Sequence, residues 1–286
     1  MGVVSTWQFN VVGYLICVVA FSQFYKLAVG NAKSDGAATV LLQLIASITI
    51  LILAPLFVLK FPSDIKYYLL LLGASIFYAL NDRLQTTSRK NLQVSVISIV
   101  AQLSSVFLII YGLTIFREPL VINKLIGAGL ILVGNIILLY KKGKLDLNKY
   151  IIFAILAALA FSTALVIDIG ISKQFNLPFY IMLTLAIPAV ILLIAEKIRL
   201  KEIIYEYNSK AKKYYLLTGI FWALLIFFSL RAFQFGDVTT IVPIQATAVL
   251  LNVVVAYFVL NEKNDELKKI IAAILVILGV YITVAI

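Results

Sequence analysis

The chain has 286 residues, 63% of them hydrophobic and 13% charged, with a formal net charge of +11 and no histidine. A soluble domain carries about a quarter charged residues, so too few polar groups exist here to cover a watery surface, and lipid is the solvent the composition fits. The missing histidines exclude the usual zinc, haem and Ser–His or Cys–His centres, and a single cysteine, Cys17, excludes an internal disulfide.

A bilayer core takes about 20 apolar residues per helix. Runs of that kind occupy 8–28, 36–59, 66–86, 92–116, 121–140, 150–172, 177–196, 213–234, 238–260 and 267–286. The first run lacks a basic n-region and a small-residue cleavage site, so it is expected to stay as a helix. Breaks fall at Phe61-Pro62-Ser63-Asp64, at Arg117-Glu118-Pro119, across Lys141–Lys149 and from Asn261 to Glu266. Tyr67, Tyr68, Tyr140, Tyr150, Tyr214 and Tyr215 stand at run ends, where amphipathic rings prefer the interface. Barrel strands are half as long and alternate in polarity. The fold class is therefore an all-α integral membrane protein of ten transmembrane helices. The 24 Lys and Arg lie mostly in the gaps between runs, the pattern of membrane-surface loops rather than of a nucleic-acid face.

An internal repeat runs through these elements. Ala20-Phe21-Ser22 recurs as Ala160-Phe161-Ser162, and Gly30 and Lys33 recur as Gly170 and Lys173. Tyr67-Tyr68-Leu69-Leu70 matches Tyr214-Tyr215-Leu216-Leu217, Arg83 matches Arg231, and Glu118 matches Glu262. The order is kept at a nearly constant offset, which divides the chain into 1–143 and 144–286, five helices each. Because five is odd, the second copy enters the membrane from the opposite side, giving two inverted five-helix repeats. Such repeats place a binding site near the midplane, between the halves, and suit alternating access.

Ten helices in two fives, each with a Glu after the fourth helix, resemble the drug/metabolite transporter superfamily, specifically its EamA type. Glu118-Pro119-Leu120 followed by Gly127-Ala128-Gly129-Leu130-Ile131-Leu132-Val133-Gly134 is similar to that family's fourth and fifth helices, as is the stretch from Glu262 to Gly279. The resemblance implies a small-molecule transporter with its termini in the cytoplasm. Three departures stand out. Ser105 and Val249 occupy the places of mid-helix prolines, and the first helix lacks the family's Trp-Gly around Gly13-Tyr14. Lys26 stands in the first helix, where four-helix relatives carry an acidic residue for proton coupling.

Ionisable groups at membrane depth are costly and default to functional readings. With the N-terminus on side A, Lys26, Asp82 and Arg83 fall near side B, and Asp168 and Arg231 near side A. These two same-side sets are expected to form gates, unless each long side chain merely reaches its interface. Nearer the midplane lie Gln43, Tyr78, Gln102, Trp222, Gln245 and Asn252, which suit a small polar or zwitterionic solute, or a cation against a ring. The same groups could instead bond helix to helix. Gly127, Gly129 and Gly134 are expected to permit close helix packing, and Glu118 and Glu262 to be solvated loop charges or packing groups. Side-B loops hold 18 Lys and Arg against 6 on side A, which puts side B in the cytoplasm, the reverse of what the resemblance implies.

The leading function is a secondary transporter or exporter in the cell (inner) membrane. Its expected partners are a small-molecule substrate, the lipid bilayer and a coupling ion or exchanged solute. No cofactor, metal, catalytic residue or nucleic-acid partner is expected, and with no P-loop the driving force is a gradient or exchange. Alternatives are a translocator of lipids or lipid-linked sugars, a multidrug or quaternary-cation transporter, and an intramembrane enzyme. The last lacks histidine and clustered carboxylates.

Overall fold

The computed structural model describes residues 6–58, 60–115, 121–141, 144–145, 147–235, 241 and 244–284. Its helices are α1 (Trp7–Val29), α2 (Asp35–Leu51), α3 (Ile65–Asn91), α4 (Val94–Val100), α5 (Leu103–Thr114), α6 (Ile122–Leu139), α7 (Lys149–Ile171), α8 (Leu177–Ala195), α9 (Leu200–Tyr207), α10 (Lys212–Phe235), α11 (Ala248–Val259) and α12 (Glu266–Val284). Among the described residues seven spans are long and apolar enough to cross a membrane, Val94–Tyr111 among them although α4 and α5 divide it, and Ile244–Val259 is a shorter apolar helix.

Helix starts follow the local chemistry. Thr6, Ser34, Asp64, Asn148 and Asn176 accept from the first free backbone N–H groups of α1, α2, α3, α7 and α8. Where the structure departs from the sequence expectation, the reason is local. α2 stops at Leu51 and yields to a 3-10 turn at Ala54–Leu56, which carries Pro55 in its first turn. α3 runs on to Asn91 and takes Arg89 and Lys90 into its last turn, where cations suit the helix dipole. The run 92–116 is two helices, broken at Ala101 and Gln102 without a proline. Gln102, Ser104 and Ser105 switch to three-residue backbone bonds there, and Ser162 Oγ donates to Ser104 O (3.1 Å). A matching break stands before α11, where residues 244–246 are helical and Thr247 turns. Two short elements were not foreseen. They are the antiparallel pair β1 (Tyr140–Lys141) and β2 (Lys144–Leu145), and the amphipathic α9.

The heaviest packing joins helices before the 140–149 connection to helices after it. α1 lies along α10 and α3 along α7. Under the repeat correspondence these two pairs exchange, while α2–α8 and α6–α12 map onto themselves. The α6–α12 seam is backbone on backbone. A Cβ at Gly127 would stand 2.5 Å from Gly279 O, one at Gly279 2.7 Å from Gly127 O, and one at Gly134 2.9 Å from Ala272 O. Gly129 is different from its expected role: nothing lies within 4 Å of a Cβ there, because it points away from the seam.

Candidate functional site

The interior polar groups are organised by one helix. Tyr78, Asp82, Thr86 and Arg89 recur on α3 at steps of four, four and three, which places them on one face over roughly 16 Å of helix rise. Asp82, Thr86 and Arg89 are buried. Asp82 accepts from Gln43 Nε2 of α2 (2.8 Å) and from Asn81 Nδ2 (2.7 Å). Thr86 Oγ1 donates to Asp82 O (3.0 Å), accepts from Thr39 Oγ1 (2.6 Å) and bonds Tyr25 OH (2.7 Å). At the other end of the stripe Tyr78 OH donates to Asp168 Oδ2 of α7 (2.6 Å), and Tyr180 OH of α8 donates to Asp168 Oδ1. The stripe thus collects partners from helices on both sides of the central connection.

The expected gate sets do not form as pairs. Asp168 is held by two phenols. Arg231 instead donates to Gln234 Oε1 (3.0 Å) and lies over the rings of Phe57 (5.2 Å) and Phe235 (4.6 Å). Lys26 Nζ donates to the carbonyls of Lys90 (3.0 Å) and Leu92 (2.7 Å), apart from Asp82. Arg83 turns outward to Glu196 Oε1 (2.6 Å) and Thr87 Oγ1 (2.5 Å), with Asp35 at 3.9 Å. The division into gates and midplane groups also dissolves, since Gln43 bonds Asp82 and Tyr78 bonds Asp168.

The other midplane candidates separate into two places. Trp222 packs on Phe21 (5.6 Å between centroids) and Tyr25 (6.2 Å), and Asn252 Oδ1 accepts from Gln23 Nε2 (3.5 Å). Gln102 sits at the break between α4 and α5, and Gln245 Nε2 donates to Ser229 Oγ (3.2 Å) just before α11.

Glu262, expected as a loop charge or a packing group, and Glu206, passed over in the sequence, tie the two halves at the side-B end. Glu262 is buried rather than solvated and accepts from Val94 N (2.7 Å), Ser95 N (3.1 Å) and Ser95 Oγ (2.6 Å), capping α4. Asn261, at a φ of 56°, makes the left-handed turn after α11 that precedes it. Glu206 accepts from Lys33 N (2.8 Å), Ser34 N (3.0 Å) and Tyr215 OH (3.0 Å). Glu118, the repeat counterpart of Glu262, lies outside the described residues.

Among curated proteins no sequence matches this chain. A solved structure described as "Crystal structure of protein" superposes with a TM-score of 0.63 at 14% identity, covering 95% of this chain and 96% of that one, a likeness of fold alone. The model of the EamA-like transporter family matches twice, over residues 5–140 and 148–285. The apolar spans and this double match make the chain a multi-pass membrane protein, and it belongs to the EamA-like transporter family.

Proposed function

We propose that the protein is a secondary transporter or exporter of small polar or zwitterionic metabolites, amino-acid-like in size and charge, working by alternating access. Residues 1–143 and 144–286 form two inverted five-helix halves that together cross the cell membrane ten times. The observation that carries this reading is the polar stripe of α3, whose partners Gln43, Thr39 and Tyr25 come from one half and Asp168 and Tyr180 from the other. A pathway between the halves needs polar groups there, and simple helix bracing does not need them. Discontinuities before α5 and before α11 add to it, since half-helix ends are how such transporters present backbone dipoles to a solute.

The test is counterflow of labelled amino acids into proteoliposomes, run beside scrambling of a fluorescent lipid. Protein-dependent accumulation of solute without lipid scrambling is the expected result. Scrambling without solute flux would replace the reading with the lipid translocator.

A further inference from the structure

We propose that Arg89, assisted by Lys26, is an anion-recognition point within the pathway, taking the carboxylate of a solute whose body lies against Phe21, Tyr25 and Trp222. The inference rests on the transport reading above and names its substrate class.

Arg89 lies in the last turn of α3, where a basic side chain ordinarily reaches outward to the headgroups. Helical side chains lean toward the helix N-terminus, and here that lean carries the guanidinium back into the bundle. Its Cζ is 5.2 Å from the Phe21 ring centroid and 5.0 Å from that of Tyr25, and Trp222 packs on both rings. Phe21 is eight residues from the end of α1, roughly 12 Å of helix rise inside it. Tyr25 is itself fixed by its bond to Thr86.

The guanidinium is only 6% exposed and is under-satisfied. Its Nε donates to Gln85 Oε1 (2.9 Å), while Nη1 is buried with no hydrogen-bond partner. Among the described residues no carboxylate lies within 4 Å of it, the ion pairs being Lys66–Asp64, Arg83–Asp35, Arg83–Glu196 and Lys90–Asp35. Lys26, whose charge repels that of Arg89, rests on backbone carbonyls, and Glu262 acts on Lys26 only from beyond ion-pair distance. Among the described residues neither Arg89 nor Lys26 has a carboxylate within ion-pair distance.

A buried guanidinium with an unpaired donor is costly to maintain, and a carboxylate supplies both the acceptor and the countercharge in the matching fork geometry. The guanidinium also occupies the ring faces that a cationic solute would use, so the site turns quaternary amines away. Nη1 has no exposed surface in this conformation. A solute reaches it as α1 and α10 part from α3, the kind of movement alternating access requires.

The experiment uses the purified full chain carrying Trp7→Phe, which leaves Trp222 as the only tryptophan. Binding is followed by Trp222 quenching and by melting midpoint with phenylalanine, phenylacetate, phenylalaninamide and phenethylamine, and with phosphatidylglycerol added to the micelles. The two carboxylates quench and stabilise, the amide and amine do not, and R89Q weakens the carboxylates at least tenfold while eluting as a monodisperse species. Should R89Q not fold, R89K decides, since its ammonium cannot fork: weaker carboxylate binding supports the site and unchanged binding overturns it. Equal response to amide or amine, no response to any solute, or a response to phosphatidylglycerol alone also overturns it. Proteoliposome flux of phenylalanine that persists unchanged in R89Q would remove the subsite and leave the transport reading standing.

Discussion

The two ends of the bundle are tied by different chemistry. At the side-B end three acidic groups of the second half reach into the first. Glu206 holds the turn before α2 through Lys33 N and Ser34 N, Glu262 caps the start of α4, and Glu196 pairs with Arg83. At the side-A end the described ties are partly cationic and partly neutral: Lys60 Nζ donates to Lys173 O (3.1 Å) and Arg231 lies over the Phe57 ring (5.2 Å). Asn176 bonds the carbonyls of Val58 (2.8 Å) and Lys60 (2.7 Å), and Phe61 meets Phe179 edge to face at 4.8 Å. Asp168 lies deeper and is held by the phenols of Tyr78 and Tyr180. Parting the side-B end leaves buried carboxylates and backbone N–H groups unpaired, whereas parting the side-A end breaks neutral contacts and those of the cations Lys60 and Arg231. The lesson is that the two ends of one bundle need not be held alike. In the transport reading proposed above, the acid-to-N–H ties make side B the end held by buried carboxylates.

That contrast breaks most severely at Glu262. Glu262→Ala orphans three buried donors and is expected to cost about 3 kcal/mol of stability, whereas Glu262→Gln, keeping an acceptor, costs about 1 kcal/mol. Thermal unfolding in detergent measures both, and equal losses would show that the carboxylate charge, not the retained acceptor and packing, holds the start of α4. Next is the seam between α6 and α12, which belongs to neither mouth. Gly127→Ala forces backbone against backbone and should cost about 2 kcal/mol, while Gly129→Ala, with open space around it, should be neutral or slightly stabilising. At side A, Asp168→Asn keeps an acceptor for one phenol and loses it for the other. Solute flux in proteoliposomes should fall severalfold, with Tyr180→Phe in Asp168→Asn adding less than its effect in the parent. Full transport in Asp168→Ala would remove Asp168 from the side-A barrier. The smallest effect belongs to Arg83→Gln. The Arg83–Glu196 pair is partly exposed, so its loss should cost under about 1 kcal/mol and vanish in high salt.

How much of this was open to sequence reading depends on whether the signal was local. Apolar run lengths and the offset repeat located the helices, because lipid demands about 20 apolar residues wherever a span lies. The break between α4 and α5 was hidden, since its cause is not a proline but a change of backbone bonding beside Ser162, on a helix some sixty residues away. Tyr78, Asp82 and Asp168 were legible as charges and a phenol at membrane depth. Their partners were not, because same-side placement says nothing about which helices touch. Arg89 was passed over for a physical reason: a cation in the last turn of a helix is ordinarily a headgroup anchor. Only the packing of α1 and α10 shows it turned inward. Glu262 read equally as a loop charge or a packing group, because the N–H groups it accepts from, at Val94 and Ser95, lie far away in sequence.

The most direct test of the account is whether side B must open during transport. In a Cys17→Ser background, which is free of cysteine, Arg83→Cys and Glu196→Cys are joined by a short bifunctional thiol reagent with a reducible link. Solute exchange in proteoliposomes should stop on crosslinking and return on reduction. Exchange that continues at the uncrosslinked rate with the two positions joined would contradict alternating access through this mouth.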